Sequence, residues 1–177
     1  PFTNMNEFPG TKMGIIDFKR AFREVNSRLK KKASSIGVSL TKDIGMDETI
    51  RSDEDSRKVM IQLKTLEKLV DLALDLNLSA VKSIEPFPVV THDTAATKVP
   101  YAEEYPVHIE LFGTIDDLYS LLKGINKPGS VFILRHIKID APSSGNPDLL
   151  SINCVMSALI ISSKFFALII ASLFFIL

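Results

Sequence analysis

The chain has 177 residues, enough for one domain with appendages, and its 21 basic residues balance 21 acidic ones. A net charge of zero gives a nucleic-acid partner no electrostatic support, so none is expected. Cys154 is the single cysteine, which excludes a disulfide framework and a paired-cysteine metal site. It stands in an apolar stretch, where a thiol serves as a small buried hydrophobe.

Residues 1–10 are polar and punctuated by Pro and Gly, and read as a linker. A start at Pro1 rather than Met is expected of a fragment, a mature product or an excised domain. From Met13 to Ile36 a helical pattern follows. Ile15, Phe18, Phe22, Val25, Leu29, Ala33 and Ile36 recur at steps of three and four, close to heptad spacing. Lys30, Lys31 and Lys32 suit the negative end of the helix dipole, and Gly37 is placed to terminate it. The stripe fits a coiled-coil seam or a face packed on its own domain. Phe18, Phe22, Val25 and Leu29 are the expected interface residues.

Val38–Ser52 is a connection rich in acidic residues. Its carboxylates lack the alternating spacing of a calcium loop, so it reads as exposed chain leading into a helix. That helix spans Asp55–Asn77. Val59, Leu63, Leu66, Val70, Ala73 and Leu76 form its apolar stripe, widened by Leu69 and Leu74. A strand follows over Leu78–Val90, closed by Pro86 and Pro88, and Thr91–Pro100 reads as an irregular loop.

The stretch Tyr105–Asp140 is the clearest part of the chain. Val107, Ile109 and Leu111 alternate with His108, Glu110 and Phe112, as in a strand covered on one face. Thr114 and Asp117 have the spacing of a capping box, and Asp116 and Asp117 suit the positive end of a helix. Leu118, Leu121, Leu122 and Ile125 form a single stripe before Lys127-Pro128-Gly129 stops the helix. A second strand begins at Val131. Plain alternation puts Val131, Ile133, Ile137 and Ile139 on one face and Phe132, Leu134, His136, Lys138 and Asp140 on the other. After a turn at Pro142–Pro147, Leu149–Ile160 reads as a last strand.

From Asp55 onward the order is helix, strand, strand, helix, strand, strand. Two helices on one face of a four-stranded antiparallel sheet make an α+β sandwich. The αββαββ order is the ferredoxin-like order with its first strand moved to the end. The expected divisions are 1–52, linker and coiled-coil-like helix; 53–161, the ferredoxin-like domain; and 162–177, a hydrophobic tail.

That tail is anomalous. Between Leu149 and Leu177 the one charged residue is Lys164. The apolar run Phe165–Leu177 is shorter than the roughly 20 residues that span a bilayer. Extending it back to Ile152 removes the last strand and places Lys164 near mid-membrane, at about 3 kcal/mol. It reads as a non-native end, a membrane-associating tail or a segment buried in a partner.

No nucleophile elbow, Walker loop or zinc-protease helix occurs. His108 and His136 would be neighbours on one sheet face if their strands paired, with Glu110 as a third zinc ligand. His92 stands apart in a loop. Arg135 lies within a strand, not in the anion-binding loop that an acylphosphatase-like enzyme needs. Phe112 and Phe132 are too few for an RNA-recognition face beside His108 and Glu110. No catalytic residue, cofactor or metal is expected.

The segment Asp117-Leu118-Tyr119-Ser120-Leu121-Leu122 followed by His136-Ile137-Lys138-Ile139 resembles the signature region of the PilO family of type IV pilus assembly proteins. It is also similar to the periplasmic domains of GspM-type type II secretion proteins. PilO-like surface proteins of mucin-degrading Verrucomicrobia share the order of elements. The resemblance covers residues 13–160 and rests on packing patterns. It implies a membrane helix upstream, coiled-coil helices over Met13–Ile36 and a permuted ferredoxin-like domain. The tail departs from it, because such proteins carry their membrane helix at the other end. It further implies a non-enzymatic scaffold on the periplasmic side of the inner membrane, forming homodimers or heterodimers with pilus or secretion platform proteins. Membrane association would come through a missing N-terminal helix or the C-terminal tail. A ferredoxin-like regulatory domain that binds a small molecule is the alternative, and a hydrolase using the His108/His136 face a weaker third.

Overall fold

The protein's structure, a computed structural model, describes residues 14–40, 44–46, 53–76, 78–93, 100–127, 130, 132–141 and 148–161. The expected linker at 1–10, the acidic stretch 47–52, the turn 142–147 and the tail 162–177 lie outside the described residues. In chain order the elements are α1 (Ile15–Ser35), β1 (Ser39–Leu40), α2 (Asp53–Asp75), β2 (Ala80–Pro86), β3 (Val90–Asp93), β4 (Pro100–Gly113), α3 (Ile115–Ile125), β5 (Phe132–Asp140) and β6 (Leu150–Ile161).

Four strands form an antiparallel sheet in the order β2-β4-β6-β5. This is the arrangement of a ferredoxin-like sheet whose first strand has moved to the end of the chain. Two short strands make the sheet mixed and six-stranded, where four antiparallel strands were expected. β1 pairs in parallel with β2 through Ser39–Ala80 and Leu40–Val81. β3 pairs with β4 beyond the end of β2. The single strand expected over Leu78–Val90 is interrupted because Pro88 has no N–H to donate. Phe87 still donates its N–H to the Pro106 carbonyl at 2.9 Å, and pairing resumes at Val90. β4 starts at Pro100, so it includes the charged stretch before Val107 that does not look like a strand from sequence.

The core lies between the helices and one sheet face. Val107, Ile109 and Leu111 of β4 and Ile152, Cys154 and Met156 of β6 meet Leu63, Leu66 and Val70 of α2 and Leu118 and Leu121 of α3. α3 is set by the expected capping box. Asp117 N–H donates to Thr114 Oγ1 at 3.3 Å, and Thr114 N–H donates to Asp117 Oδ2 at 2.7 Å. Just before it, a Cβ on Gly113 would stand 2.9 Å from Leu78 Cδ2 and 3.1 Å from Asp117 Cβ, so β4 turns into α3 at glycine distance.

α1 belongs to the same core. Phe18, Phe22, Val25 and Leu29 are buried with the α2 stripe, and the Phe18 and Phe22 rings stack at 6.0 Å. Ion pairs line the flank of this contact. Arg28 meets Glu67 and Asp71, and Lys32 meets Asp71 and Asp75. Both sets of partners advance together, so α1 and α2 run in the same direction. The near-heptad seam is thus filled within the chain by α2. Residues on both sides of the 52/53 boundary contribute to this core.

The alternation expected along β5 holds on only part of the strand. The pairing with β6 shifts register between Leu134 and His136, leaving Arg135 as an extra residue. A bulge of this kind exchanges the faces of everything beyond it. Phe132 and Leu134 pair with Ala158 and Met156 on the core face, and so do Ile137 and Ile139 with Cys154 and Ile152. Ile133, His136, Lys138 and Asp140 share the opposite face. The grouping of Phe132 and Leu134 with His136, Lys138 and Asp140 is therefore corrected by one inserted residue.

Candidate functional site

The face of the sheet opposite the helices carries Glu104, His108, Glu110 and Phe112 of β4, Ser151, Asn153 and Val155 of β6, and His136, Lys138 and Asp140 of β5. Two-residue alternation puts these polar groups together, because each strand already gives its other face to the core.

Glu104 is the most constrained group on this face and only 6% exposed. The Arg135 fork donates from Nε to Oε1 and from Nη2 to Oε2, both at 2.6 Å. His92 Nε2 lies 3.0 Å from Oε2. The paired guanidinium, against the opposing effect of burial and with help from His92, holds the Glu104 carboxyl down at about 2. Arg135 comes from β5 and Glu104 from β4, with β6 between them. The bulge therefore has a use: it frees the guanidinium to lie across the intervening strand.

Further charges near the sheet are paired as well. Lys82 donates to Glu110 at 2.6 Å and stands 5.7 Å from the Phe112 ring centre. Arg57 of α2 donates to Glu103 at 3.1 Å on the helix side, where the buried Tyr105 hydroxyl donates to the same carboxylate oxygen at 2.8 Å. Burial and that carboxylate push the Tyr105 phenol well above its ordinary value. Phe87 stacks on His108 at 6.3 Å with the rings 5° from parallel. Burial pushes the Cys154 thiol up to about 11, so at neutral pH it is an inert core group.

His108 and His136 do share a face, but their strands do not pair. Both are opposite Val155 of β6, one from each side. Two strand spacings, about 9.6 Å, separate their backbones, and an aliphatic side chain stands between. Among the described residues no group of three or more His, Cys, Asp or Glu side chains is placed to hold a metal ion. Phe18, Phe22, Val25 and Leu29, expected at an interface, are inside the chain's own core, and a partner could reach them only after α1 had left α2.

Sequence reasoning passed over Glu104 and gave Arg135 no partner. The signal for both was Arg135 itself: an arginine in the apolar run Phe132–Ile137 needs a nearby acid. Nothing local to Glu104 says that it is the acid.

Among the described residues the open features of the sheet include this face and the outer edge of β5. Among the described residues β5 pairs with β6 alone, so its nine residues present an unpaired backbone edge. The opposite edge of the sheet is covered at its start by β1.

The fold is similar to that of proteins from Akkermansia muciniphila. One crystal structure matches at a TM-score of 0.76 with 12% identity, over 90% of this chain and 84% of that one. A second, solved without its transmembrane region, matches at 0.71 with 12% identity, over 91% and 95%. The type 4 fimbrial biogenesis protein PilO from Pseudomonas aeruginosa is also similar, at a TM-score of 0.46 and 14% identity over 78% of this chain and 99% of that one, too low to establish a shared fold. No protein-family model matches the chain, and no curated protein sequence matches it. Among the described residues no helix is long and apolar enough to cross a membrane.

Proposed function

We propose that this chain is a non-catalytic scaffold of the bacterial cell envelope, serving type IV pilus or type II secretion assembly. It pairs with a second copy or with related platform proteins and holds them in register. The observation that carries this reading is how the sheet uses its charges. Arg57, Lys82 and Arg135 each tie one secondary element to another, through Glu103, Glu110 and Glu104, while a nine-residue strand edge stays open. Cross-strand ion pairs stiffen a platform, and an open edge is where a platform can meet another chain.

Analogy of fold supports a location in the cell envelope. One of the similar Akkermansia proteins was solved without its transmembrane region, which suits an envelope protein anchored beside the periplasmic face of the inner membrane. For this chain the anchor is a helix upstream of Pro1 or the tail 162–177.

The test is retention. The immobilised full chain is challenged with purified periplasmic domains of the pilus and secretion platform proteins from the same genome. Retention of at least one is expected. If none is retained, and a metabolite library raises the melting temperature instead, the chain is a small-molecule-binding regulatory domain.

A further inference from the structure

We propose that two copies of this chain join through the outer edge of β5, pairing antiparallel about Ile139 so that Lys138 of each stands opposite Asp140 of the other. This rests on the scaffold reading and names the surface by which the scaffold pairs.

Among the described residues the edge is unpaired, and its regular part is short. The bulge at Arg135 ends regular pairing on one side, so a straight ladder can use only His136–Ala141. Within that segment Lys138 and Asp140 are on the open face, with side chains 64% and 45% exposed. Ile137 and Ile139 are on the core face, and Ile139 is 46% exposed although its β6 partner, Ile152, is fully buried. An isoleucine half in water at the rim of a core gains when a further strand covers it.

The charge pattern selects the occupant. Lysine and a bulge on an edge strand discourage pairing with strands in general. They do not discourage a strand of the reverse pattern, with an acid opposite the lysine and a lysine opposite the acid. β5 supplies that pattern itself. A twofold axis through Ile139 sets Lys138 against Asp140 twice, Ile139 against Ile139, and Ile137 against Ala141. Directly opposite residues fall on the same face, so charges meet on the open side and the isoleucines on the core side. The neighbouring register with the same faces, centred on Lys138, would set lysine against lysine and is disfavoured. In the single chain Lys138 Nζ lies 2.8 Å from its own Asp140 Oδ2, a pair that the dimer exchanges for two such pairs across the axis.

Sedimentation velocity of the full chain, with Lys138→Asp, Asp140→Lys and the double exchange, tests this. The wild-type chain is expected to dimerise. Each single exchange sets like charges opposite one another twice and should weaken the dimer about tenfold. The double exchange should restore it. Both substituted side chains are exposed, so melting temperatures should barely move. Amide exchange on the wild-type chain supplies a second readout: the 136–141 amides should slow as the protein concentration rises. A dimer indifferent to both single exchanges, or one whose protection falls outside β5, overturns the pairing and leaves the scaffold reading standing. A monomer that still retains a platform protein does the same. A monomer that retains none sinks both.

Discussion

Arg135 reaches across β6 to grip Glu104 with two hydrogen bonds of 2.6 Å each. The pair joins strands that are not neighbours, so it braces the sheet at the β5 side. Glu104 is held down at about 2 against an ordinary 4.5. A group whose folded value is depressed adds stability above its unfolded value and loses it as pH falls through the folded one. The contribution should be intact at pH 6 and fade between about pH 4.5 and 2. Allowing for solvent at the exposed guanidinium, it should be worth about 1–2 kcal/mol. Urea titrations of wild type and Glu104→Gln at a series of pH values check this. The gap between the two curves should be widest near neutrality and close in acid. Arg135→Ala removes both guanidinium bonds from a buried carboxylate, leaving it His92, and should cost about 2–3 kcal/mol at pH 7.

Two glycines with nearly the same backbone angle should respond differently to alanine. Gly37 has φ +71° and open space around it. Gly45 has φ +73°, and a Cβ there would land on the Ile84 carbonyl. Gly37→Ala should cost about 1 kcal/mol, the strain of a left-handed residue. Gly45→Ala adds a backbone collision to that strain and should cost at least about 3 kcal/mol. Gly45 lies between the buried Ile44 and Met46, so the turn cannot shift outward without withdrawing both from the core. Thermal melts of the two variants side by side would reveal the difference.

What was legible in the sequence is what local patterns encode. The stripe of α2, the Thr114–Asp117 box and the alternation Val107–Leu111 each depend on residues within a few positions of one another, and each formed as read. What was not legible depends on register between distant segments. The Arg135 bulge, the placement of His108 and His136 either side of Val155, and the insertion of β1 beside β2 are choices of partner. Nothing near Ser39–Leu40 marks it as a strand, because two residues have no periodicity. α1 shows the limit most clearly. Its near-heptad stripe forms, but the same stripe fits a second copy or α2. Only the matching acids on α2, at Glu67, Asp71 and Asp75, decide between them, and they lie about 40 residues away.

If α1 is part of the core, the chain cannot be shortened to residue 53 without penalty. Removing residues 1–37 takes Phe18, Phe22, Val25, Leu29 and Ala33 out of that core. The shortened chain should lose its cooperative melt or bind a hydrophobic dye, whereas a chain that merely lacks a coiled-coil arm would melt unchanged. Leu29→Ala is a milder form of the same test. Leu29 is fully buried, so truncating it should cost about 2–4 kcal/mol.

The ion pairs between α1 and α2 should contribute much less than that apolar contact, and in a way that salt reveals. Burial raises the Asp71 carboxyl, but Arg28 and Lys32 more than offset it and hold it below its ordinary 3.8. Its contribution is therefore present at neutral pH and lost as pH drops below that value. The Arg28 and Asp71 side chains are 46% and 27% exposed, so water screens the attraction. Asp71→Asn should cost about 1 kcal/mol in dilute buffer and little in 1 M salt, where the screening length shrinks to about 3 Å. Leu29→Ala should cost the same in both, because salt does not screen burial of a leucine. If Asp71→Asn proves as costly as Leu29→Ala and as indifferent to salt, the ion pairs rather than the seam hold α1 in place.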